Sequence, residues 1–161
     1  MNLKLIILIS LIFTACLNPK KENASSKTRY VCSFSSDSLR LRTEYELIKD
    51  VNDSIILYKY INVADSTRNF EISYEIDTKT LLFNFDRYRA FTKNVLQNEE
   101  KPKIWFDNYE MVSPIVDGID PIMFNVDYGI LAITGPLNPP HLFLDKRNDT
   151  LFGRKILEKL K

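Results

Sequence analysis

The chain has 161 residues, with 22 Lys and Arg, 21 Asp and Glu, and a single His. This near-neutral balance gives no electrostatic basis for nucleic-acid binding, and one His with two Cys is too few for a multi-histidine or multi-thiolate metal site. Eight Tyr and ten Phe, beside many Ile and Val, form a strand-building composition.

The chain begins with Met1, Asn2 and Lys4, then an apolar run from Leu5 to Phe13 broken by Ser10, then small Thr14 and Ala15 before Cys16. A membrane-crossing helix needs about 20 apolar residues, so this run is too short to span alone. A basic start, a short apolar core and small residues describe a secretory signal peptide. "FTAC" resembles the lipobox of bacterial lipoproteins, with Ala15 as the small residue before the acylated cysteine and Phe13 departing from the usual leucine. The resemblance implies a leader over 1–15, cleavage before Cys16, and palmitate-type acyl chains on Cys16 as a membrane anchor; stable anchoring takes more than one chain. Leu17 stands where an aspartate retains enteric lipoproteins in the inner membrane, so the resemblance implies the outer membrane, facing either side. Residues 16–27 contain almost nothing to bury and read as a flexible tether.

Residues 28–161 suit one domain. Thr28 to Phe34 reads as a first strand with Cys32 in it, a structural buried thiol rather than a reactive one. "SLRLRTEYELIK" alternates with Leu39, Leu41, Tyr45 and Leu47 on one face and charged residues on the other. "IILYKYINV" is apolar on both faces and "FEISYEID" alternates again. "DTKT" turns tightly into "LLFNFD". Five strands on short turns predict an antiparallel meander.

In "DRYRAFTKNVLQNEEK" Tyr88, Phe91 and Val95 have helical spacing, and Asp86 offers a cap. This segment is predicted as a mid-chain helix ended by Pro102, with a ragged strand as the alternative. "KIWFDNYEMV" reads as a strand, "SPIVDGIDP" as a loop, and "IMFNVDYGILAIT" as a hairpin or one long bent strand around "NVDYG". "GPLNPP" breaks regular structure before a short strand, "HLFL". The tail "LFGRKILEKLK" predicts an amphipathic helix with Phe152, Ile156 and Leu160 on one side, docked on the sheet; a lipid-surface helix, or a strand through Leu151 and Phe152, is the alternative. Gly153 weakens its first turn.

No catalytic signature stands out. His141 is the one candidate base and has no identifiable nucleophile beside it. Asp117 and Asp120 flank Gly118 in a spacing that suits a turn, not a helix-loop-helix calcium site. Ser38, Ser54, Ser66 and Thr150 each follow an aspartate, which resembles a three-residue O-glycosylation signal of some Gram-negative bacteria; turn chemistry explains the same pattern. Tyr58, Tyr60, Tyr74, Phe83 and Phe85 read as core or as a binding face, and Trp105 with Tyr109 as an exposed binding platform.

The expected fold is mainly β (α+β): one antiparallel curved sheet or half-barrel with a C-terminal helix, a closed barrel being second choice. The expected function is a membrane-anchored envelope lipoprotein acting as a non-enzymatic binding or interaction module for a protein or glycan. The alternatives are a carrier of an apolar ligand and a carboxylate-based enzyme. No cofactor, metal or nucleic acid is expected.

Overall fold

The computed structural model describes residues 25–99, 102–114, 121–135 and 138–160. Cys16 and the leader expected over 1–15, and Asp117 and Asp120, lie outside them. Ten strands follow in chain order: β1 (Ser25–Ser35), β2 (Ser38–Val51), β3 (Ile55–Asn62), β4 (Phe70–Glu75), β5 (Thr80–Phe83), β6 (Asp86–Asn98), β7 (Ile104–Met111), β8 (Ile122–Asn125), β9 (Gly129–Gly135) and β10 (Asn138–Leu144). Each pairs antiparallel with its neighbours, and β1 pairs β10 through Tyr30↔Leu144, Val31↔Phe143 and Cys32↔Leu142. The single antiparallel sheet is therefore a closed barrel, the second choice from sequence. Closure removes the edge whose unpaired N–H and C=O groups a half-barrel would expose.

The turns after β1, β3, β5, β7 and β9 lie at one end, called the mouth here; β1 starts at the other, the base. At the mouth, Ser36–Asp37 (φ 47° and 62°) and Asn84–Phe85 (φ 49° and 70°) make two-residue turns with both residues at positive φ. That geometry matches the twist of the flanking strands. β1 starts at Ser25, so Ser25, Ser26 and Lys27, expected in the tether, pair with Lys49, Ile48 and Leu47.

Three sequence expectations are corrected, and irregular ladders explain all three. The mid-chain helix is strand β6. Its register with β7 slips between Ala90 and Thr92 and again between Thr92 and Leu96, and Asn94 takes φ 54°. These slips break the two-residue period and imitate helical spacing, so Tyr88 faces the bore while Phe91 is 74% exposed. The shared face of Leu39, Leu41, Tyr45 and Leu47 is split by a slip where Val31 pairs Thr43 but Cys32 pairs Leu41. Leu39 packs outside the barrel, Leu41 is half-exposed, and Tyr45 and Leu47 point inside. "NPP" does not end the sheet: β10 begins at Asn138, with a slip between Asn138 and His141 where the prolines have no N–H to give.

Eight strands leave a bore that ordinary side chains just fill, and the diameter grows with strand number. Here large rings fill the extra width. Tyr60 stacks on Phe70 at 4.5 Å, with Tyr45 and Phe143 edge-on to one or both. Nearer the base, Phe124 is ringed by Tyr58, Tyr74 and Tyr109 at 5.4–5.7 Å. The four buried rings Tyr58, Tyr60, Tyr74 and Phe83 are core; Phe85 stands fully exposed at its turn.

The β8–β9 turn folds against the base of this core. Its backbone groups are met by side chains from across the bore: Tyr58 Oη donates to the Val126 carbonyl, Tyr60 Oη accepts from the Ile130 N–H at 2.8 Å, and Arg29 Nη2 donates to the Tyr128 carbonyl at 2.9 Å. Arg29 is buried, pairs with Asp145 and lies 3.9 Å over the Tyr128 ring. Gly129 (φ 89°) sits so close that a Cβ would meet Tyr60 Oη at 2.6 Å.

The C-terminal helix α1 (Thr150–Lys159) docks on the outer face, as expected from its apolar stripe. Ile156 is fully buried among Cys32, Phe106, Leu131 and Leu142. Asp149 caps the helix, accepting from the Phe152 N–H at 3.0 Å. Gly153 weakens the first turn, but it also lets the helix approach: a Cβ there would lie 3.1 Å from Phe34. Among the described residues no helix is long and apolar enough to cross a membrane.

Gly129→Ala combines a left-handed backbone, costing about 1–2 kcal/mol for an L-residue, with displacement of the Tyr60 hydroxyl, which strands a buried N–H at about 1–3 kcal/mol. Chemical denaturation is expected to show a loss of about 3 kcal/mol. In a Tyr60→Phe background the same substitution is expected to cost less, because the clashing hydroxyl is already gone.

Candidate functional site

Three adjacent strands, β2, β1 and β10, bring a polar row to the mouth. Arg42 has no opposite partner at the β1–β2 slip and is the extra residue of a bulge, a device that re-aims a side chain. Its Nε donates to Ser33 Oγ at 2.6 Å, and Ser33 is fully buried. His141 follows on β10. Partial burial, and then the charge of Arg42, hold its pKa below the ordinary 6.5, so it is a neutral imidazole at pH 7. Arg68 reaches the same rim from the β3–β4 loop, where Asp65 pairs with it at 3.2 Å.

Inside this rim lies a half-open cavity of about 430 Å³. Val31, Tyr45, Phe70, Phe83, Ile133 and Phe143 give it apolar walls, and Thr43 and Thr134 add hydroxyls. Its size falls in the range of small-molecule sites. Among the described residues no carboxylate lines it. The Tyr60–Phe70 stack occupies the bore beside it.

A second cavity, about 420 Å³, opens near the base and is more polar. Lys79, Arg89, Lys93, Thr78 and Asp107 lie over Tyr74, Tyr109 and Phe124. Asp107 is engaged structurally, accepting from the Asn94 N–H at 2.7 Å to hold the β6 bulge.

The sequence candidates distribute as follows. Trp105 is 47% exposed on β7, but Tyr109 is 4% exposed inside the barrel against Phe124. The exposed platform of the two is therefore corrected: β7 is a barrel wall whose Tyr109 side faces the packed bore. Ser38, Ser54 and Ser66 are exposed and Thr150 half-exposed. The aspartates before two of them act in local turns: Asp65 accepts from the Thr67 N–H at 3.0 Å, and Asp149 caps α1. His141 lies at the mouth, and among the described residues it forms no hydrogen bond to a serine, cysteine or carboxylate. Nor does any group of three His, Cys, Asp or Glu there come together to hold a metal. Sequence reasoning passed over Arg42, because its role rests on a ladder slip that alternation hides, and Arg29, whose partners are 99 and 116 residues away.

Cys32 is fully buried, and desolvation raises its pKa to about 11. Relative to a thiol of ordinary pKa near 9, that is about 100-fold less thiolate at pH 8. Maleimide labelling, read at the Cys32 peptide, is expected to be at least that much slower in the folded chain than in guanidinium.

The chain matches no known family model, no curated protein and no solved structure.

Proposed function

We propose that this is a lipid-anchored protein of the bacterial envelope, held through Cys16, whose barrel is a non-enzymatic binding module for a small ligand seated in the mouth cavity. The observation that carries the reading is the cavity itself: concave, walled by aromatic and aliphatic side chains, with a few polar groups at the rim. The sequence supplies the anchor through the lipobox resemblance at "FTAC".

The geometry favours a ligand held at the surface over a fully enclosed cargo. Below the cavity the bore is packed with stacked and edge-on rings, so the ligand's outer end stays near solvent. A carboxylate-based enzyme needs two acidic groups in one cleft with separated pKa values; among the described residues the mouth cavity has none, and the base cavity has Asp107 alone. The exposed Ser38, Ser54 and Ser66 and half-exposed Thr150 are accessible as glycan acceptors on such a protein.

Native mass spectrometry of the chain extracted from its own membrane tests the proposal. The expected mass is that of a chain starting at Cys16 with acyl groups, plus a non-covalent small molecule. Ile133→Trp should fill the cavity and abolish that extra mass while leaving the circular-dichroism spectrum unchanged. Equal occupancy in both proteins would overturn the mouth as the site, and an unacylated chain would overturn the anchor.

A further inference from the structure

We infer that the ligand of the mouth cavity is an amphiphile with an apolar body and one oxyanion headgroup, carboxylate or phosphate, gripped by Arg42. The inference rests on the mouth being a binding site and adds the chemistry of what enters it.

Three observations converge. First, Arg42 is placed by construction: the β-bulge turns it out of the ladder, and the bond from Nε to buried Ser33 fixes the base of its guanidinium. Among the described residues no carboxylate pairs with it, so the outer edge of the planar fork is left to a ligand. That fork matches two oxygens of a carboxylate or phosphate. Second, the charge balance among the described residues of the rim leaves Arg42 uncompensated. Arg68 is neutralised by Asp65, and among the described residues no acidic side chain lines the cavity. His141 stands beside Arg42 as a neutral donor or acceptor, able to bond a headgroup oxygen without adding repulsion. Third, the walls directly inward of this charge are apolar, with Phe70, Phe83 and Phe143 offering no hydrogen bond to a polar tail. One charge above an oily slot selects a molecule divided the same way.

Octanoate, octyl phosphate and octanol separate headgroup from tail. They are to be titrated calorimetrically into the acylated chain, as extracted from its membrane, held in amphipol. The Ile133→Trp chain in the same amphipol serves as the blank for partitioning. The expected result is that both acids, or one of them, bind about 10- to 100-fold more tightly than octanol, the range of a charge-assisted hydrogen-bonded pair. Arg42→Gln should erase that preference without weakening octanol, Arg42→Lys should restore part of it, and Ser33→Ala should lower it while keeping the charge. The tighter of the two acids names the headgroup. If acids and octanol bind alike and Arg42→Gln changes nothing, the headgroup inference is overturned while the mouth cavity stands as a binding site. If no probe binds the wild-type chain better than the blank, the cavity reading itself fails and this inference with it.

Discussion

A closed sheet of ten strands must fill its own bore. Closure satisfies every edge of the ladder, but the width it encloses exceeds what Val, Leu and Ile can fill from the walls. The protein fills it in two ways. It lines the bore with rings, each burying about 150–250 Å², and it brings the β8–β9 turn against the base. The second device carries a cost, because turn backbone brought against the core loses water. Tyr58, Tyr60 and Arg29 repay that cost by bonding Val126, Ile130 and Tyr128 across the barrel. The phenols of Tyr58 and Tyr60 are thus both volume and hydrogen-bond partners, which explains tyrosine at these two positions where phenylalanine would pack equally well.

Arg29 shows how tightly the arrangement is bound together. A buried guanidinium is tolerated when paired and hydrogen-bonded. Here Asp145 neutralises it, Thr28 and Tyr128 carbonyls accept from it, and the Tyr128 ring lies beneath it. One side chain therefore ties the first strand to the β8–β9 turn and to the segment after β10, beside the β1–β10 seam that closes the barrel. With this part of the base occupied, the more apolar open volume lies at the mouth. There the β1–β2 slip and the proline-broken start of β10 loosen the ladder and turn polar side chains toward the opening.

Regular alternation made much of the architecture legible. β3, β4 and β5, and the β8–β9 hairpin, follow their apolar periods, and the docked tail follows its stripe. What stayed hidden lies at ladder slips. A bulge shifts every later side chain to the opposite face, so Leu41 and Tyr45 share parity but not a face, and β6 looks helical because its period is interrupted twice. The mouth was illegible for the same reason: Arg42 is an ordinary member of a polar face unless the slip is known. Tyr109 was misplaced because a polar-looking strand can still form a wall with one packed side.

The positions of the two ends give the molecule a polarity. The first strand starts at the base, and the cavity opens at the opposite end of the barrel. Whatever holds the chain ahead of Ser25 therefore holds it by its foot. The acyl anchor proposed at Cys16, nine residues earlier, would reach at most about 3.3–3.6 Å per residue along extended chain, short enough to keep the base near a bilayer. If the proposed anchor holds it so, the barrel stands like a cup on a short stem, with its opening directed at the aqueous compartment rather than at the bilayer.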